Sequence, residues 1–190
     1  MQGVIRALAA PAAATALVLL TGAGRASDGF TLTDATAKQV ADAYWKARPG
    51  GPMRMGQWER MIAITAFDLP GQPAAAERDA LIAKAKQQKT TESVCQSGTD
   101  LAAPEPAQIF EMQGQKCHYQ RLTMGGGSFA GQLSCEGEEF GERIDVAVSG
   151  SYTPERFAIR LDVDRQPVDR TQRVVMTMQL NGQRTGECAK

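Results

Sequence analysis

The chain has 190 residues, and its 21 basic residues are balanced by 21 acidic ones, so its formal net charge is zero. That length supports one domain with a hydrophobic core of its own. The balanced charge provides no basic field of the kind that binds nucleic acid or an anionic membrane, so the composition argues against both kinds of partner.

The first 26 residues have the pattern of a secretory signal peptide. One positive charge, Arg6, precedes an apolar run, Ala7–Leu20, and small residues follow. The small-x-small rule places the cleavage after Ala26, with Ala23 as the second choice. The run is shorter than the roughly 20 residues of a membrane span. Pro11 disfavours the competing interpretation, a buried alanine-rich helix.

We therefore expect export to the periplasm, with the extracellular space as the second choice. Removal of Arg6 and Arg25 leaves 19 basic and 21 acidic residues, and no second apolar run has the length of a membrane span. No cysteine follows the cleavage region, which disfavours a lipid anchor. The expected organisation is a signal peptide at 1–26, an N-terminal helical segment and linker at 27–52, and a disulfide-stapled β-rich domain at 53–190.

Two helices are predicted in the first half of the chain. Thr33 and Asp34 resemble a helix cap, and Ala35–Ala47 has apolar residues at helical spacing. Ala74–Lys89 is the clearer helix, because its lysines favour the C-terminal end of the helix dipole. Its residues expected to face inward are Leu81, Ile82 and Ala85.

The other predicted elements are strands. Gln57–Phe67 places Trp58, Ile62, Ile64 and Ala66 on one face by period two. From Ile109 onward the pattern is strand and turn, with clean alternation around residues 144–148, 157–163 and 174–180. Such alternation is typical of antiparallel sheets with one face on the core. The expected fold class is α+β: a curved antiparallel β-meander of six or seven strands, half-open and barrel-like, with one or two flanking helices.

Four cysteines, Cys95, Cys117, Cys135 and Cys188, all follow the signal peptide. An even number in an exported chain favours disulfides. Zinc binding is the alternative, but zinc ligands usually come in close pairs, and these cysteines are far apart in sequence. Three pairings are possible from the sequence alone.

A glycine-rich connector favours one of those pairings. Two extended-looking runs, 117–124 and 129–135, flank Gly125–Ser128, which predicts a hairpin. The hairpin brings Cys117 opposite Cys135, where paired side chains lie about 5 Å apart. Cys95 and Cys188 then remain as the second pair.

The order of these features is similar to that of a known exported family. It runs through a signal peptide, Gly56-x-Trp58 at the start of a strand, Cys95, a hairpin flanked by Cys117 and Cys135, alternating strands and Gly186-x-Cys188. From about Met53 to Cys188 the chain resembles the domain of unknown function 3617 family of proteobacterial envelope proteins. The resemblance implies a small secreted β-rich domain with a similar cysteine framework. It transfers no activity and no catalytic residues, because the family has none assigned.

His118 is the only histidine, and a serine or cysteine hydrolase would need it as its base. In the predicted hairpin it lies on the face opposite Cys117, and a bridged Cys117 is no nucleophile. We therefore expect His118 to be a surface residue.

Two Met-x-Met pairs suggest a different chemistry. Residues two apart in a strand face the same way, so each pair presents two thioethers, which suit Cu(I). Met176 and Met178 share an apolar alternating face and are expected in the core. Met53 and Met55, near a Gly/Pro turn, remain weak candidates for Cu(I) binding.

A cluster of glutamates could hold calcium. It consists of Glu136, Glu138, Glu139 and Glu142. It lacks the alternating pattern of a calcium loop, so we expect a solvated turn. The Gly125–Gly127 run lacks the lysine and the following helix of a phosphate-binding loop.

No residue pattern indicates catalysis, and we expect a non-enzymatic protein without a cofactor. The favoured hypothesis is a periplasmic or envelope-associated module that binds a small apolar ligand or a protein partner through its sheet. The alternative is Cu(I) handling through Met-x-Met thioethers. A hydrolase or isomerase is the third hypothesis and would need two acidic groups converging in a cleft.

Overall fold

The computed structural model describes residues 29–47, 53–96, 115–136, 141–168 and 172–189. They form eight strands and two helices: β1 (Phe30–Thr36), α1 (Ala37–Ala47), β2 (Gly56–Asp68), α2 (Ala76–Lys86), β3 (Lys89–Gln96), β4 (Lys116–Gly125), β5 (Ser128–Glu136), β6 (Arg143–Thr153), β7 (Arg156–Gln166) and β8 (Val174–Gly186). The expected signal peptide and the expected strand onset at Ile109 lie outside these residues.

All eight strands belong to one antiparallel sheet, ordered β1-β4-β5-β6-β7-β8-β2-β3. The β4–β8 run is the expected meander, and the sheet stays open with β1 and β3 at its edges. The predicted α+β class is confirmed. Apolar alternation does not reveal β1 and β3, because most residues of these edge strands are exposed.

One face of the sheet carries the core, and we call it the core face. Along β6 and β7 every second residue is buried: Ile144, Val146, Val148, Phe157, Ile159, Leu161 and Val163. Met176 and Met178 of β8 are partly buried and pack against this cluster, as predicted. The intervening residues form the outer face, which is mostly polar.

β4 and β5 form the predicted hairpin. Gly126 and Gly127 are its two turn residues, with φ of 60° and 79°, values that glycine adopts without strain and that a type I′ turn requires. Cys117 lies directly opposite Cys135 in the ladder. The turn therefore sets the register that brings the two cysteines together.

Two disulfides link the described strands, and they are the pairs that the sequence predicts. Cys117–Cys135 joins β4 to β5 with a Cα–Cα distance of 4.1 Å, and both residues are buried on the core face. Cys95–Cys188 has a Cα–Cα distance of 5.4 Å. It ties edge strand β3 to the residues after β8, on the far side of β2.

α1 begins later than predicted, because the residues expected to cap it belong to β1. Thr33 and Asp34 lie in that strand, so their predicted role as a helix cap is wrong. The cap is formed by Thr36 and Gln39. The Gln39 N–H donates to Thr36 Oγ1 at 3.3 Å, and the Thr36 N–H donates to Gln39 Oε1 at 2.8 Å. This reciprocal arrangement is a capping box.

Aromatic side chains fill one end of the core face. Tyr44 of α1 lies 6.2 Å from Tyr152 between ring centroids, and Trp58 of β2 lies 5.9 Å from Phe157. Trp58 is fully buried, and its Nε1–H donates to the carbonyl oxygen of Arg54 at 3.0 Å. These contacts fasten α1 and the start of β2 to the middle strands.

The core-facing side of β2 changes along the strand. Trp58, Ile62 and Ile64 share one face as predicted, but a register shift separates Ile64 from Ala66. Ala66 is therefore exposed, and the prediction that it shares that face is wrong. Phe67, opposite Met176, takes the core-facing position instead.

α2 spans fewer residues than predicted, because Lys89 already begins β3. It contains no buried residue, and Leu81 is 51% exposed, so the prediction that Leu81 faces the core is wrong. Ile82 and Ala85 are only half-buried. α2 packs beside β2 at the border of the sheet, where its apolar side lines a cleft. Within the described ranges, no helix combines the length and the apolar character that crossing a membrane requires.

Candidate functional site

The candidate site is the cleft between α2 and the neighbouring border of the core face, which we call the α2 cleft. Its volume is 530 Å³, within the range of about 300–1,000 Å³ that small-molecule sites occupy. Its apolar lining comes from α2, the end of β2 and the residues around the end of β7 and start of β8: Phe67, Leu69, Leu81, Ala85, Pro167 and Val174.

One carboxylate holds α2 beside β2. Asp68, the last residue of β2, accepts hydrogen bonds at Oδ1 from Arg78 Nη2 at 2.7 Å and from the Leu69 N–H at 2.8 Å. The Arg78 side chain is only 21% exposed, so this contact is partly shielded from water. The chain reverses direction after Asp68, and the contact with Arg78 places α2 along the border of the sheet. A cleft remains between α2 and that border.

Three charged side chains of the described residues line the α2 cleft. Glu142 is almost completely buried and forms an ion pair with Nε of Arg165, whose side chain remains 52% exposed. Lys84 lines the α2 side and has no ion pair within the described residues. Counted over the described lining residues, two cations and one paired carboxylate leave a net positive charge. Neutral amides complete the polar lining: Gln72, Gln88 and Gln172.

The expected solvated turn of glutamates is only partly correct. Glu136 is exposed at the end of β5, and Glu138 and Glu139 lie outside the described residues. Glu142 is buried instead, because Arg165 neutralises it. The alternation of the strands could have predicted this burial. Glu142 lies two residues before the buried run of β6, and Arg165 lies two residues after that of β7. Both residues therefore continue the core-facing side of their strands.

The described lining of this cleft combines apolar side chains with a few charged and amide groups. Paired acid–base work needs two titratable groups with different protonation states. The described residues of the lining contribute one carboxylate, and a guanidinium already engages it. Across the parts of the chain that the structure describes, no group of three or more His, Cys, Asp or Glu side chains is placed to hold a metal ion.

The sequence profile of one family, described as "Protein of unknown function (DUF3617)", matches residues 53–188, which is more than half of the chain. The chain belongs to the DUF3617 family. The match contains both disulfides and every residue of the α2 cleft, whereas β1 and α1 precede it. No curated protein gives a significant match to this chain, and no solved structure does.

The outer face of the DUF3617 domain brings a histidine, a serine and an aspartate into one row. His118 lies opposite Ser134, and Ser134 lies opposite Asp145. A hydrolytic triad needs the histidine between the other two. Here the serine is in the middle, and its hydroxyl donates to Asp145 Oδ1 at 3.2 Å. His118 is exposed, on the face opposite bridged Cys117.

Arginine–carboxylate pairs cover the outer face between β7 and β8. Arg160 donates to both carboxylate oxygens of Asp162, at 2.8 and 2.6 Å, and this hydrogen bonding lowers the pKa of Asp162. Arg173 lowers the pKa of Asp164 in the same way. These carboxylates are engaged within the sheet, which favours a structural role.

Met53 and Met55 lie in different environments. Met53 is 5% exposed and belongs to the core cluster, whereas Met55 is 53% exposed. Both precede β2 in a bent segment, so the period-two argument that aligned their thioethers does not apply there. No described contact favours Cu(I) at this pair.

Proposed function

We propose that this DUF3617 protein is a non-enzymatic periplasmic module that holds a small apolar ligand in the α2 cleft. The observation that carries the proposal is the apolar lining of that cleft, where exposed Leu81 lies together with Phe67 and Val174 rather than singly on the surface. The sequence also allows a protein partner in place of a small ligand. No specific contact among the described residues favours that hypothesis.

Two further observations support the proposed setting. The first 26 residues have the signal-peptide pattern, and the structure contains two disulfides, which persist in compartments outside the cytoplasm. The disulfides and the low net charge, with basic and acidic residues in equal number, are typical of a stable scaffold. The cleft lies where α2 meets that scaffold.

The experiment is a titration of the oxidised protein with N-phenyl-1-naphthylamine, a neutral dye whose fluorescence rises in an apolar site. We expect saturable binding with one site per chain. Leu81→Ser should weaken it by about fivefold to tenfold, since burying a half-exposed leucine against a ligand is worth about 1 kcal/mol.

Met55→Ser is the matched control, because Met55 is as exposed as Leu81 but lies away from the cleft. It should leave the dye affinity unchanged. Equal losses in both variants, or no saturable binding by the parent protein, would refute the proposed function.

A further inference from the structure

We infer that the α2 cleft selects a single-chain amphiphile with an anionic head group, of the fatty-acid type, and this inference rests on the proposed function. The apolar lining would hold the chain, and Lys84 and Arg165 would receive the head group. The class of ligand follows from how charge is distributed around the cleft.

The first step concerns Glu142. Its carboxylate is the only acidic group that the described residues contribute to the lining, and its side chain is 4% exposed. It receives Nε–H of Arg165 and is therefore neutralised from inside the protein. Among the described lining residues a ligand meets no free negative charge, so they offer a cationic head group no partner.

The second step concerns the donors that remain. A guanidinium has five N–H donors, and Glu142 is bonded through Nε. Arg165 is half-exposed, so its Nη groups can donate to a ligand at the rim. Lys84 adds an ammonium from the α2 side, and within the described residues it forms no ion pair. The described lining thus offers a negatively charged acceptor two cationic groups, one from α2 and one from β7.

The third step concerns the shape of the lining. The apolar residues come from α2, from the end of β2 and from the β7–β8 border, so they form walls on both sides of the cleft. The same lining includes the charged residues Lys84, Glu142 and Arg165. A ligand with one apolar chain and one anionic end matches both parts, whereas a fully polar anion would leave the apolar walls wet.

The test is displacement of N-phenyl-1-naphthylamine from the oxidised protein by three chains of equal length: laurate, dodecanol and dodecyltrimethylammonium. Laurate should displace the dye at a concentration about twofold to fivefold lower than dodecanol, the factor expected for one partly exposed ion pair. The cationic chain should be the weakest of the three.

Lys84→Gln is the diagnostic variant, and Lys86→Gln is its matched control on the same helix, outside the lining. Lys84→Gln should remove most of the preference for laurate and leave dodecanol unchanged, while Lys86→Gln should behave as the parent. Lys84 is chosen over Arg165 because loss of Arg165 would leave Glu142 buried without a partner.

Equal displacement by laurate and dodecanol in the parent, or an unchanged preference in Lys84→Gln, would overturn the inference while leaving the proposed function intact. Absence of dye binding would overturn both. Binding of the protein to phosphatidylglycerol vesicles without displacement by laurate would also overturn it, because the site would then recognise a lipid surface.

Discussion

The two disulfides differ in burial. The contribution of this burial to stability can be measured separately from the contribution of the loop that each disulfide closes. Cys117 and Cys135 are 9% and 1% exposed. Cys95 is exposed, and Cys188 is half-buried. The perturbation is the replacement of each pair, once by alanine and once by serine, which gives four double variants.

Loop closure alone ranks the bridges in one order. The separations are 18 and 93 residues. In the chain-entropy model the shorter loop stabilises by about 3.2 kcal/mol and the longer by about 4.7 kcal/mol. Losing either is large against a total stability of roughly 5–15 kcal/mol.

Burial removes that difference. Replacing Cys117 and Cys135 by alanine also empties two buried sulfur positions, at about 1 kcal/mol each, so the total approaches about 5 kcal/mol and equals that of the other pair. Serine at these positions adds buried hydroxyl groups at roughly 1–3 kcal/mol each. At Cys95 and Cys188, serine and alanine should be equivalent.

The assay is urea unfolding followed by circular dichroism, with the m-value reporting the expected expansion of the unfolded state when a crosslink is lost. Serine and alanine variants at Cys117 and Cys135 that agree within about 0.5 kcal/mol would refute the burial argument, since surface substitutions stay within that margin. A loss below about 1 kcal/mol for the alanine pair at Cys95 and Cys188 would refute the loop argument.

Two further predictions concern the sheet. A Cβ on Gly182 would lie 2.0 Å from Cε1 of Phe157, so Gly182→Ala should destabilise the protein by about 1–3 kcal/mol in thermal unfolding, and a second change, Phe157→Leu, should recover part of the loss. Arg160 lowers the pKa of Asp162 below its ordinary 3.8. The folded carboxyl group thus binds its proton more weakly than the unfolded one, and the resulting stability is present above pH about 4 and lost as the pH falls through the lowered pKa. The urea midpoint of Asp162→Asn should therefore lie below that of the parent by a constant amount between pH about 5 and 7, and the gap should shrink below pH about 4; a gap independent of pH would contradict this.

Period-two patterns predict the middle of this fold well, because those strands bury one face against a common core. The residues of β6, β7 and β8 and the β4–β5 hairpin lie as expected. β1 is different: Thr33 and Asp34 read locally as a helix cap, but pairing with β4 extends the strand to Thr36, which caps α1 with Gln39. A tertiary contact outweighs the local preference there.

The candidate site was harder to predict for a related reason. Leu81 and Ala85 look like the buried stripe of a helix, and only the packing of α2 at the sheet border shows that they line a cleft. The sequence presents Glu142 as one of several glutamates expected at the surface. Only the ion pair with Arg165 of β7 shows why it is buried. The prediction for Ala66 is wrong because the apolar pattern does not reveal the bulge between Ile64 and Ala66. Each miss depends on contacts between residues that are distant in sequence.

The Cys95–Cys188 bridge also determines which backbone the sheet offers to other molecules. β3 is a polar strand that begins with a lysine, which makes it a poor template for strand addition. Behind it lies β2, a longer strand that carries Trp58, Ile62 and Ile64. The bridge tethers the Cys95 end of β3 beside β2, so the apolar strand stays covered. Oxidation thus keeps a polar strand, rather than an apolar one, at this edge of the sheet.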